Sequence, residues 1–256
     1  MTLSAEVRPS VGLFTQYEAD IQQPQAIPLI TARMRHTGLV AISGLTSPET
    51  VAEFADIVMH RNIYPGQGPL ALHEIRHTSE HAHRLGHTEL TRAAVELHTC
   101  RAELVVPPRL VLLACLHPGD AGGEIVLVDG KVVFGDLCSR RPDAAYAFVQ
   151  QRAATFGRLA FPVFDQVGSR QHVLRLRQDG AVRWNAGVQP FLPVLRTALL
   201  RHQQILRLGP GQGLLVDNAR WATGRRSFTG PRRFLRAEGT PREPLGAGFV
   251  SGAVPS

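Results

Sequence analysis

A chain of 256 residues, 44% of them apolar, is long enough to bury one substantial core and has the balance of an ordinary globular protein. Its net charge of +7 arises from 28 basic residues of which only Lys131 is lysine; the arginines are scattered and no basic block is interleaved with aromatics, so no nucleic-acid partner is expected. Cys100, Cys115 and Cys138 are too few and too odd in number for a disulfide framework, no apolar run reaches the length of a membrane span, and MTLSAEVRPS lacks a basic-then-apolar leader, so a cytoplasmic protein without a membrane partner is expected.

Residues 1–37, with Gln22, Gln23, Pro24, Gln25 and Pro28, have weak periodicity and are read as an N-terminal arm with one short helix. The apolar run 38–45 predicts a first strand. Over 48–59, Val51, Phe54, Ala55 and Val58 share a helical face, with Ser47 at the N-cap and Pro48 at the first helical position. Residues 62–69 read as loop. Segment 72–90 carries five of the eleven histidines, and His73-Glu74-Ile75-Arg76-His77 has the spacing that zinc proteases use on a helix. Glu80 stands where one protease group needs glycine, and Met1, Met34 and Met59 all lie upstream, so no downstream Met-turn exists. Solvated histidines on a polar surface loop are the expectation.

Residues 96–130 form the most informative stretch. His98 precedes a turn at Pro107-Pro108, then a continuous apolar run from Leu110 to Leu116 suits a strand buried on both faces. A glycine turn from Gly119 to Gly123 leads to a second run, Ile125 to Val128, closed by Asp129-Gly130. Downstream, 142–156 has helical spacing, Asp179-Gly180 reads as the turn of a hairpin, and 191–206 reads as a helix with Leu192, Leu195, Leu199 and Ile205 inward. Residues 210–239 hold a glycine-rich turn, Leu214-Leu215-Val216-Asp217-Asn218, then Trp221-Ala222-Thr223-Gly224-Arg225 and an arginine-bearing strand. Asp217 and Asn218 are read as shaping the turn before that strand. With no repeat and no boundary, the expectation is one domain over 1–256, its core about 38–240 and a loosely held Pro/Gly/Ser-rich tail at 241–256.

The two blocks, in this order and spacing, resemble the taurine dioxygenase and clavaminate synthase-like family of iron(II)/2-oxoglutarate oxygenases from about Leu39 to Gly239. The resemblance implies a mainly β fold with flanking helices at 48–59, 142–156 and 191–206: a distorted jelly-roll barrel, the cupin-like double-stranded β-helix. It also implies a polar segment over the site at 72–90, a small-molecule substrate and a setting in natural-product biosynthesis.

Carried over residue by residue, the family's first histidine ligand matches His98. The carboxylate ligand falls on Cys100, the second histidine on Thr223, and the threonine that meets the distal carboxylate of 2-oxoglutarate on Ile125. Arg232 and Arg236, four apart on a strand, share a side and are read as the anion-binding pair, with Arg233 opposite. Thr223, Ile125 and Trp221 are read as further substrate-binding positions, with a core role for Trp221 as the alternative. With three positions of the iron and cosubstrate machinery changed, the expectation is an enzyme without metal or cofactor. His98 and Cys100 would then move protons to cyclise, isomerise, eliminate or hydrolyse a small anionic or carbonyl-bearing metabolite. Cys100 as a small filler and His98 as a packed side chain stay open. So do two other functions: an active iron/2-oxoglutarate oxygenase that recruits a ligand from the His73–His87 loop, and a non-catalytic binding or partner protein. The sequence leaves the oligomeric state open.

Overall fold

The computed structural model describes residues 11–65, 67–68, 70–77, 88–150 and 152–250. Two sheets face each other, and helices cover the outer side of each. In the larger sheet, Leu39–Leu45, Gly211–Asp217, Leu110–His117 and Arg233–Pro241 are antiparallel neighbours in that order. Glu18–Asp20 adds a parallel edge, while Met59–Arg61 and His73–Arg76 both pair with Arg233–Pro241. The smaller sheet runs Gln204–Leu206, Ile125–Asp129, Trp221–Arg225, Val95–His98.

Alternation along Leu110–His117 explains its nearly unbroken apolar sequence. Leu110, Leu112 and Ala114 pack beneath the helices, whereas Val111, Leu113 and Cys115 face the smaller sheet. Helices Ala26–Thr37 and Pro48–Val58 seal the outer face of the larger sheet with Ile30, Met34, Val51 and Phe54. Ser47 caps the second of these, its hydroxyl accepting from the Thr50 amide at 3.2 Å. Helices Gly130–Arg140, Pro142–Val149 and Leu192–His202 cover the smaller sheet through Phe134, Phe148, Leu195 and Leu199. Val111, Val216, Phe234, Ile125, Leu127 and Trp221 fill the space between the sheets.

Several expectations need correction. The fold is mixed α/β rather than mainly β, and among the described residues no sheet closes into a barrel. The arm is more ordered than its composition suggests, because Ala26, Ile30 and Met34 fall on one face of a helix that Gly38 ends at φ 67°. Pro28 is tolerated there in the first turn. The helix expected over 142–156 stops at Val149, and Gly130–Arg140 was not foreseen; the Asp129 carboxylate starts it by accepting from the Lys131 amide at 2.9 Å. Asp179-Gly180 makes no hairpin, since its flanking strands pair elsewhere and Asp179 instead takes the fork of Arg177 at 2.8 and 2.9 Å. The tail is anchored as far as Phe249–Val250, which pairs with Gln171–Leu174 and buries Phe249. Among the described residues no helix is long and apolar enough to cross a membrane.

Candidate functional site

Between the sheets lies an inner, mostly apolar cavity of about 70 Å³. It adjoins an outer, polar cavity of about 300 Å³, and Glu89, Val95, His98, Cys100 and Arg236 belong to both walls. His98 ends the Val95–His98 strand and is the direct antiparallel partner of Thr223. The two positions that match the family's histidines therefore face each other across one strand pair. Ile125, Thr223, Arg232 and Arg236 all line the inner cavity with His98 and Cys100. Trp221 does not join them. It is buried in the core between the sheets, and its indole N–H donates to the Thr37 carbonyl at 2.8 Å.

His98 and Cys100 have opposite chemical prospects. The Nδ1 of His98 lies 2.9 Å from the Glu96 carbonyl, which can only accept, so the proton sits on Nδ1 and Nε2 keeps its lone pair. Burial holds the imidazole below its ordinary pKa, against the pull of that carbonyl. Such a ring is a neutral donor of the kind metals take, its tautomer fixed from behind. Cys100 is a protonated thiol. Burial pushes its pKa far up; the nearby Arg236 cation opposes this, and Glu238 adds to it. Its Sγ donates to Glu238 Oε1 at 3.2 Å, so it is not the reactive thiolate that acid/base chemistry would need. Asn218 clamps this turn, accepting from the Cys100 amide at 2.7 Å and donating to the carbonyls of Cys100 and Pro108 at 2.9 and 2.8 Å. Arg101 follows with φ 55°, held there by Glu238 at 3.1 Å and by Tyr64, whose ring centroid is 4.0 Å from its guanidinium. Asp217, read as a turn residue, also receives the Arg109 fork at 2.6 and 2.7 Å.

Three arginines give the inner cavity its charge. Arg225 donates to the carbonyls of Glu89, Thr91 and Ala93 at 2.9, 2.7 and 2.6 Å. Arg232 stands just ahead of the Arg233–Pro241 strand, its guanidinium 3.6 Å from the Phe234 ring centroid and 5.4 Å from that of Phe228. Its buried Nε has no hydrogen-bond partner, and among the described residues no carboxylate pairs with it. Burial, with the Arg225 cation beside it, pushes its pKa down to about 9. Arg236 is the reverse case. Its guanidinium reaches Glu89 at 2.5 and 3.3 Å, and its Nε lies 2.8 Å from Glu238. Burial alone would raise the Glu89 carboxyl, but Arg236 and His73 outweigh it and hold Glu89 well below the usual carboxylate range. Arg233 is on the exposed side of the strand, paired with Glu74 at 2.9 Å.

Glu89, Glu238 and Arg225 were missed in the sequence. Glu238 had a signal, since a residue two beyond Arg236 on a strand shares its side. The zinc-protease pattern fails on local structure: His73–Arg76 is a strand, so its residues lack helical spacing. His73 Nε2 lies 3.4 Å from Glu89 Oε1, whereas His81, His83 and His87 fall outside the described residues. Among the described residues, no three histidine, cysteine or carboxylate side chains converge as a metal site. For iron(II) the donor chemistry is thus partly met, by the imidazole of His98 and the carboxylate of Glu89 in one cavity. For an oxo acid it is met by Arg232, a buried cation with an unsatisfied donor.

No family model matches the chain. A uridine-5'-phosphate dioxygenase from Amycolatopsis sp is 26% identical over 136 residues, which span 47% of this chain and about half (50%) of that relative. The non-heme iron oxygenase OrfP, solved with Fe, succinate and (3S)-hydroxy-L-Arg, superimposes with a TM-score of 0.69 at 14% identity, covering 90% of this chain and 88% of its own. Asparagine oxygenase with Fe(II), 3-hydroxyasparagine and succinate gives 0.67 at 16%, covering 85% and 80%. PvcB, an Fe, α-ketoglutarate dependent oxygenase from an isonitrile synthetic pathway, gives 0.65 at 16%, covering 86% and 82%. The chain has the fold of iron/2-oxoglutarate-dependent oxygenases. These neighbours overturn two expectations drawn from positions 100, 125 and 223. One was a metal-independent acid/base enzyme; the other was the absence of cofactors, with the redox machinery lost and the metal site degenerate. OrfP has also been solved with Fe and α-ketoglutaric acid together.

Proposed function

We infer that this chain is an oxygenase of the iron(II)/2-oxoglutarate type with a non-standard set of metal donors. Its two facing sheets are read as the halves of a distorted jelly-roll barrel. The observation that carries the reading is Arg232: a buried guanidinium that no carboxylate among the described residues pairs with, at the wall of the cavity that His98 also lines. Leaving a cation so placed unpaired is costly, and a carboxylate that enters beside it is correspondingly favoured.

In this reading His98 Nε2 is the imidazole donor, and Glu89 the carboxylate offered from the same walls. Thr223, opposite His98, adds a neutral hydroxyl. Bound iron(II) would supply the activation of oxygen. The residues of the chain do the rest. The Glu96 carbonyl fixes the His98 proton on Nδ1, Arg232 takes the carboxylate of the oxo acid, and apolar Ile125, Val111 and Val216 keep water from the inner cavity. The outer cavity, walled by Glu103, Arg177, Gln178 and Asp179, suits a small polar substrate.

The test is anaerobic loading of the protein with iron(II), followed by metal analysis and by assay of oxygen-dependent conversion of 2-oxoglutarate to succinate. Iron near one per chain, and its loss in His98→Ala, is the expected result. Iron at background in the parent protein, with no succinate formed, would remove the reading.

A further inference from the structure

Arg236 and Arg232 line one cavity, but among the described residues carboxylates engage Arg236 and not Arg232. Glu89, on the short turn Thr88–Leu90, enters the cavity wall and places both oxygens on the Arg236 guanidinium. The approach is two-pronged, as an incoming carboxylate's would be. The backbone behind it is held in place. Arg225, buried in the same wall, spends its guanidinium on the carbonyls of Glu89, Thr91 and Ala93. A buried cation used to fix three carbonyls delivers the Glu89 side chain from a set point. Glu238 fixes Arg236 from the other side, and is itself 2% exposed and shared with Arg101 and Cys100.

We propose that Glu89 is a resident carboxylate occupying an anion-binding place on Arg236, which a ligand carboxylate must take from it. The cavity then holds two places for carboxylates: an open one at Arg232 and one at Arg236 filled by the chain. A dicarboxylate entering the site is anchored at Arg232 and competes with Glu89 for the second place. Success would release Glu89 from Arg236 beside His98, with which it shares both cavity walls. Glu89 thereby sets how tightly, and with which end first, an oxo dicarboxylate is held. The inference rests on the reading that this cavity takes an oxo acid.

The experiment is calorimetric titration of metal-free protein, in chelator, with 2-oxoglutarate and separately with succinate. The parent is compared with Glu89→Gln, Glu89→Asp and the double variant Glu89→Gln/Arg236→Met. Glu89→Gln should bind 2-oxoglutarate about tenfold tighter or more, because the competing anion is gone. Glu89→Asp keeps the charge but shortens the reach, so it should bind tighter than the parent by a smaller factor; it also decides the question should Glu89→Gln not fold. The double variant should lose the gain, which separates a place on Arg236 from a general rise in positive charge. If the parent binds the dicarboxylate and neither single variant binds it tighter, this inference falls and the function above stands. If neither parent nor variants bind any dicarboxylate, this inference falls, and iron loading with succinate formation decides the function separately.

Discussion

Arg232 and Arg236 lie four residues apart against the same cavity, yet they are in opposite electrostatic states. Arg236 is flanked by Glu89 and Glu238 and belongs to a run of alternating charge, Glu89, Arg236, Glu238 and Arg101. Arg232 is bordered by two phenylalanine rings and another cation. The first arginine is compensated from within the chain, by Glu238 and by Glu89, so a ligand reaches it only by displacing a neighbour. The second is a cost to the folded state that a ligand can relieve. Residue type is the same at both sites, so it does not distinguish an open anion-binding cation from one already filled by the chain. The buried neighbours do.

That contrast is most sharply tested at Glu238. Glu238→Ala would leave Arg236 and Arg101 without a shared anion, and Cys100 without its acceptor, so unfolding in urea should show a loss of about 3–5 kcal/mol. A loss under about 1 kcal/mol would mean that the alternating network is not holding the wall together. Arg232→Met should behave in the reverse way. Stability should stay level or rise, since an uncompensated buried cation is replaced by an apolar side chain of similar length. Binding of 2-oxoglutarate, read by calorimetry, should weaken by about 2–4 kcal/mol. A variant that unfolds more easily yet binds as the parent does would assign Arg232 to the structure and erase the comparison.

The sequence carried the frame of this site better than its electrostatics. The block from His98 to Asp129 and that from Gly211 to Pro241 are legible because paired strands demand apolar alternation and their turns demand glycine. Register then brings Thr223 opposite His98. The parity argument for the arginines was incomplete, since Arg232 precedes the strand and the register shifts between Arg233 and Phe234; both side chains nevertheless line the cavity. Glu89 was illegible for a physical reason: its partner is 147 residues away, and no local pattern encodes an ion pair across such a separation. Cys100 stayed open between a small filler and a reactive thiol, because its state depends on Glu238, 138 residues on. Helix Ala26–Thr37 was hidden by glutamines and Pro28, its inward face being only three buried residues wide: Ala26, Ile30 and Met34.

The smallest effect belongs to Arg233, which lies between the contrasted arginines and completes the comparison. Its guanidinium meets Glu74 at 2.9 Å, but the two side chains remain 47% and 37% exposed, so water screens the pair and competes for it. Such a contact is worth about 0.2–1 kcal/mol, part of which is spent ordering two long side chains. Arg233→Ala should therefore move the urea midpoint barely beyond error and leave 2-oxoglutarate binding unchanged. Raising the salt concentration should shrink even that difference, whereas the Glu238→Ala deficit, buried away from counterions, should persist. If Arg233→Ala instead weakened the ligand as much as Arg232→Met, the cavity would be reading the summed positive charge of the strand rather than one unpaired guanidinium, and the distinction between the two buried arginines would lose its functional meaning.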